Sequence, residues 1–163
     1  MMRVKIADSL SREAYKQALD EVASVFPNDP SIAMIEIDGA FLRKDYDAAL
    51  RYIDQVDKAI GGDAFQDAIR ALAFLARNRP GDAELASQHA EAATKTEPTL
   101  AKGWWAKLDV ALGREQWAAA LAAIDELHAR FHAPFDDATF KTTAYAKLAA
   151  SPEFAAWRSK SRP

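Results

Sequence analysis

Residues 104–132, WWAKLDVALGREQWAAALAAIDELHARFH, narrow the chain's options more than any other stretch. Trp104, Leu108 and Ala111 recur about one helical turn apart. Beyond Gly113–Gln116, so do Trp117, Ala120, Leu121, Ile124 and Leu127. Apolar residues at that spacing mark one face of an amphipathic helix. The stretch therefore predicts two helices joined by a tight turn, with the small residues Ala111 and Ala120 where the two backbones come closest. A hairpin of this size cannot bury its apolar faces alone, so either it recurs or something else covers it.

The rest of the chain continues the pattern. Tyr15, Leu19, Val22 and Phe26 place a first helix over Ser9–Phe26, with Ser11 as its N-cap and Pro27 and Pro30 ending it. Asp29, followed by Pro30, has the form of the next N-cap and first helical position, and predicts a helix to about Arg43. After the turn Lys44-Asp45, a helix over Tyr46–Ile60 turns Tyr46, Ala49, Leu50, Ile53 and Val56 inward and stops at Gly61-Gly62. Asp63-Ala64-Phe65-Gln66 resembles a capping box and opens a helix to about Arg77. Asn78-Arg79-Pro80-Gly81 is a turn, and Asp82 is expected to cap a helix carrying Leu85, Ala86, His89, Ala90 and Ala93. Glu97-Pro98 stops it. Beyond His132, a helix is expected over Ala138–Ala150, capped by Asp136 or Asp137, and a short one from Ser151 with Phe154 and Trp157. Arg3–Ile6 is ambiguous; elsewhere no alternating pattern of a strand stands out.

Overlaid, the hairpins repeat with a period of about 34 residues, and Ala120 maps onto Ala86. Ala120-x3-Ile124, Ala86-x3-Ala90 and, shifted by a few residues, Ala49-x3-Ile53 hold the same place. The pattern resembles the tetratricopeptide repeat. Its third copy carries Trp104, Lys107, Leu108, Ala111, Trp117, Ala120, Ile124 and Leu127. The second carries Arg70, Ala73, Phe74, Arg77, Ala86, Ala90, Ala93 and Pro98, and the first Ala33, Glu36, Ile37, Ala40, Tyr46, Ala49, Ile53 and Val56. Only the third has the family's leading Trp, and its Leu-Gly pair is in none of them. The resemblance implies an all-α fold, a right-handed α–α superhelix of helix-turn-helix repeats closed by a C-terminal pair of capping helices. It divides a single domain, 1–163, into a half repeat at 9–27, repeats at 30–62, 63–98 and 99–132, and capping helices at 135–160.

The same resemblance implies a non-enzymatic module that binds a peptide or helix of a protein partner on its concave face. The implied lining is Met34, Asp38 and Phe41 from the first repeat, and Ala71, Leu75 and Asn78 from the second. The third adds Lys102, Trp105 and Asp109. With Trp104 in the packing position, Trp105 is left to the groove as an anchor, unless the chain's own tail covers it. Family members that grip a terminal carboxylate do so with Lys, Asn and Arg side chains. Met34, Asp38, Leu72 and Ala106 stand at those positions here and only Lys102 matches, so an acidic terminus is not the expected ligand. The alternative reading is self-association through Tyr15, Leu19 and Val22, where the first helix of the half repeat is missing and the end of the stack is uncapped.

Other chemistry is weakly signalled. Apolar residues make up 50% and charged residues 28%, so a globular chain is expected rather than a disordered one. A net charge of −3 with no basic run gives no nucleic-acid footprint, and no stretch has the length of a membrane span. With no cysteine there is no disulfide, thiol chemistry or Cys-based zinc site. The expected location is cytoplasmic, with an upstream signal or domain before Met1-Met2 left open. His128 and His132 have a metal-compatible i, i+4 spacing, but with no third ligand in sight they read as a solvated helix end. His89 reads as a surface or packing residue, Asp45, Asp47, Asp54 and Asp57 as caps and solvated acids, and Gly61-Gly62-Asp63 as paired caps rather than a phosphate loop. No nucleophile motif or converging acid–base set is present, so neither an enzyme nor a cofactor is expected. The basic tail from Arg158 reads as a solvated end.

Overall fold

Three helices start where capping chemistry stands in the sequence, at Asp29, Asp45 and Asp63. The computed structural model describes residues 12–26 and 29–161; all regular structure among them is helical, and none of these helices is long and apolar enough to cross a membrane. The chain divides into two compact units between Gly62 and Asp63.

The first unit holds α1 (Arg12–Val25), α2 (Pro30–Arg43) and α3 (Tyr46–Ile60). The Asp29 carboxylate accepts the Ser31 N–H at 2.8 Å, and Pro30 takes the first turn, where its missing N–H costs nothing. Lys44 ends α2 in the left-handed region (φ 59°). There its N–H bonds the Phe41 carbonyl and the N–H of Asp45 reaches the Ala40 carbonyl at 2.9 Å, closing the helix end without glycine. Asp45 in turn caps α3 through the Ala48 N–H at 3.0 Å. Ile37, Ala40, Ala49, Ile53 and Val56 are no more than 1% exposed and form the α2–α3 core. Glu36 is buried with them, its carboxylate 3.5 Å from Arg43. The expectations for Arg3–Ile6, Ser9, Ser11, Pro27 and the side chains of Tyr15 and Leu19 lie outside the described residues.

The second unit holds α4 (Ala64–Arg77), α5 (Asp82–Thr96), α6 (Ala101–Gly113) and α7 (Trp117–Phe131), then α8 (Ala146–Ala149) and α9 (Pro152–Ser161). α6 packs against both α4 and α5, and α7 packs on α6. An alanine layer makes the first crossing close: Ala68, Ala71, Ala86, Ala90, Ala93 and Ala106 are essentially without exposed surface. Gly103 continues it, since a Cβ there would sit 3.4 Å from the Ala93 Cβ. The α6–α7 core is larger, built on Leu108, Ile124 and Leu127, and the C-terminal segment adds Leu148, Phe140 and Phe154 to it. Glu115 (φ 56°) and Gln116 close α6 with the same pair of bonds as Lys44 and Asp45, and in both hairpins an aromatic residue opens the next helix.

Three local expectations are corrected. Asp63 accepts the Gln66 N–H at 2.9 Å, but Gln66 Oε1 has no partner among the described residues, so the capping box is half formed. Asp82 does not cap α5; Gly81 (φ 88°) does, and Asp82 is the first helical residue. The expected helix over Ala138–Ala150 is broken into single turns at Thr139–Lys141 and Thr143–Tyr145 before α8. Asp136 accepts both the N–H and the hydroxyl of Thr139 at 2.8 Å, and the Thr142 hydroxyl bonds the Thr139 carbonyl at 2.8 Å. Such local bonds compete with a helical ladder, and the extended backbone at Thr142 (ψ 154°) interrupts it.

Candidate functional site

α6 positions three of the expected groove residues by helical spacing alone: Lys102, Trp105 and Asp109 follow one another on one face. Trp104 faces the other way. It is partly buried against the α6–α7 core, its indole N–H donates to the Pro98 carbonyl at 2.9 Å, and Lys107 and Arg130 lie over its ring. Locked in this way, Trp104 leaves Trp105, turned about 100° away on the helix, on a face where it is 37% exposed.

Trp105 has a neighbour that helical spacing could not supply. The Phe135 ring lies 5.7 Å from it, centroid to centroid, and Tyr145 stands edge-on to Phe135 at 6.4 Å. The C-terminal segment therefore covers part of Trp105 and leaves the rest in solvent. Burial by the surrounding protein raises the Asp109 carboxyl above its ordinary range even though part of the residue reaches solvent, and Lys102 pulls the other way. Burial also raises the Tyr145 phenol, helped by the nearby negative charge of Asp109. Lys102, Trp105, Asp109, Phe135 and Tyr145 thus make one continuous amphipathic surface.

The remaining expected residues lie outside α6. Leu75, on α4, is half-buried against the end of α6, where a Cβ on Gly113 would come within 2.9 Å of its Cδ1. Asn78 is exposed but occupied as the left-handed C-cap of α4 (φ 52°). Ala71 is fully buried because α6 lies against it, and it offers a partner no surface. Met34, Asp38 and Phe41 lie on α2 in the first unit: Asp38 is exposed, Met34 is half-buried, and Phe41 packs edge-on to Tyr46 at 5.8 Å.

A cleft of about 210 Å³ opens on the second unit between α7, the Phe135–Phe140 segment and α9. Phe135, Phe140 and Trp157 form its walls, over Ile124. Its polar rim is Asp125, His128, Asp137 and Arg158. The Trp157 indole N–H donates to Asp125 Oδ1 at 2.9 Å. Arg158 pairs with Asp137 and lies over the Phe154 ring, so it is not the freely solvated start of a tail. The His128 Nδ1 donates to the Ala133 carbonyl at 3.1 Å, and His132 ends α7 in the left-handed region. Among the described residues no group of His, Asp or Glu side chains could hold a metal. His89 has a definite place: its Nδ1 is 2.8 Å from Asp67 and its ring stacks on Phe74, tying α5 to α4.

Helical periodicity carried no signal for the cleft or for Phe135 and Tyr145. The trace is the aromatic run Phe135, Phe140, Tyr145, Phe154 and Trp157 beyond the last hairpin, of which only Phe154 and Trp157 stand at a helical spacing. Comparison with protein-family models, with curated proteins and with solved structures finds no match to this chain.

Proposed function

We propose that the chain is a non-enzymatic interaction module built of tetratricopeptide-like hairpins in a right-handed superhelix, and that it binds a peptide or helix of a partner protein. The observation that carries this reading is Trp105. The side chain is large and apolar, it keeps 37% of its surface in solvent, and charges of both signs, Lys102 and Asp109, stand on the same helix face. An aromatic anchor with polar groups on either side is the arrangement in which few residues carry most of a binding energy. Leu75 is assigned to the same surface, and Met34, Asp38 and Phe41 to the matching face of the first hairpin. The repeat reading is supported by the second helices, where Ala49, Ile53 and Val56, Ala86, Ala90 and Ala93, and Ala120, Ile124 and Leu127 are each no more than 1% exposed.

The test is selection of peptides from a displayed library on the full chain, followed by affinity measurement with Trp105→Ala. The expected result is at least a tenfold loss of affinity with an unchanged helical circular dichroism spectrum. Affinity within twofold of the parent would show that the anchor has been misassigned.

One observation favours a second reading, association between copies. Val25 and Phe26, at the end of α1, are 63% and 55% exposed. Light scattering over a hundredfold range of protein concentration separates the two readings: a mass that rises with concentration, and stops rising in Val25→Asp, supports association.

A further inference from the structure

The cleft between α7 and α9 has a chemistry that its structural role leaves unexplained. Phe140, Phe154 and Trp157 already interlock through centroid distances of 4.7–5.9 Å, which is enough to dock α9. Beside them a space of about 210 Å³ stays open. A cavity of about 150 Å³ is enough for a benzene-sized body, so a small group fits.

The polar groups decide which group. Arg158 and Asp137 neutralise each other. Asp125 has no ion pair among the described residues; its Oδ1 accepts the Trp157 indole N–H, and a carboxylate keeps further acceptor capacity. His128 spends its Nδ1 proton on the Ala133 carbonyl, so the nitrogen that the neutral ring can still offer, Nε2, is also an acceptor. The cleft therefore presents ring faces, one uncompensated negative charge and acceptors. A ligand that suits it is cationic, carries N–H donors and has a short apolar body. Aromatic faces attract such a cation directly, and a charge-assisted bond to a carboxylate is stronger than a neutral one.

We propose that this cleft binds a protonated primary amine on a short apolar stem, with the ammonium on Asp125 and the stem against Phe135, Phe140 and Trp157. The cleft shares Phe135 with the Trp105 surface, but Asp125 and Trp157, on which the test rests, do not belong to that surface. The chemistry is shared by free alkylamines and arylalkylamines and by a lysine side chain.

The test uses the full chain and follows the Trp157 indole N–H resonance, identified by its loss in Trp157→Phe. The probes are phenethylammonium, butylammonium, 2-phenylethanol, phenylacetate and lysine blocked at both its amino and carboxyl ends. Expected are saturable shifts with both ammonium ions, at least tenfold weaker binding of the alcohol, no binding of phenylacetate, and at least a tenfold loss in Asp125→Asn. Blocked lysine binding as well as butylammonium assigns the cleft to a polypeptide side chain. Butylammonium binding while blocked lysine does not assigns it to a free amine. Equal binding of alcohol and amine, preference for the carboxylate, or an Asp125→Asn variant that binds the amine within twofold of the parent overturns the proposal. If Asp125→Asn loses helicity, the comparison of amine with alcohol on the parent chain decides.

Discussion

Asp82 reaches back across the turn it follows. Its carboxylate takes two hydrogen bonds from the Arg77 guanidinium, at 2.9 and 2.6 Å, and one from the Arg79 N–H at 2.9 Å. The Arg77 bonds lead in holding its pKa down at about 2 against the usual 3.8, outweighing a residue that is 2% exposed. Because the folded value lies below the unfolded one, the ionised group stabilises the fold above about pH 4, and that contribution fades as pH falls towards 2. Asp82→Asn should cost about 1.5–3 kcal/mol at neutral pH, the worth of hydrogen bonds to a charged group. Urea unfolding of parent and variant at pH 7 and near pH 2 checks this: the gap should close in acid. The left-handed residue Lys44 offers the opposite test. A side chain there costs about 1–2 kcal/mol, partly offset by the freedom glycine has in the unfolded chain. Lys44→Gly should therefore raise stability by roughly 1 kcal/mol, read as a higher urea midpoint. At this scale the sequence was readable where donor and acceptor lie within one turn, as at Asp29, Asp45 and Asp63. Asp82 was misread because its partners stand before it, where no capping pattern looks.

The helix pairs were readable for a related reason. Ala120, Ile124 and Leu127 need only face inward from one helix, a condition that the 3.6-residue period already encodes. The segment after α7 follows no such rule. Its course is set by Thr and Asp bonds to nearby backbone and by rings that meet only after the chain has turned, so a helix was expected where single turns stand. The same limit applied at the candidate site, where α6 spacing disclosed Lys102, Trp105 and Asp109, while the chain's own tail was named as a possible cover for Trp105 without any sign of which ring would reach it. Leu148, fully buried in α8, anchors this segment to the α6–α7 core. Leu148→Ala should cost about 2–5 kcal/mol. It should also loosen the Phe135–Trp105 contact, read as greater acrylamide quenching of tryptophan emission below the unfolding temperature. Quenching equal to the parent's would mean that Phe135 holds its place without α8.

For the whole molecule, the division between Gly62 and Asp63 has a spectroscopic consequence. All 4 tryptophans, Trp104, Trp105, Trp117 and Trp157, belong to the second unit, whereas helix is spread over both. If the units unfold separately, tryptophan emission reports one and far-ultraviolet dichroism reports the sum. The two urea curves should then part; coincident curves would show that the units unfold as one. The Trp105–Phe135 contact carries a different consequence, in time. A chain is made from its N-terminus at about 5–20 residues per second, so Phe135 emerges roughly 2–6 s after Trp105. Through that interval the Trp105 ring lacks the ring that covers part of it. On the ribosome, the nascent chain thus shows its most adhesive side chain before it has the means to cover it.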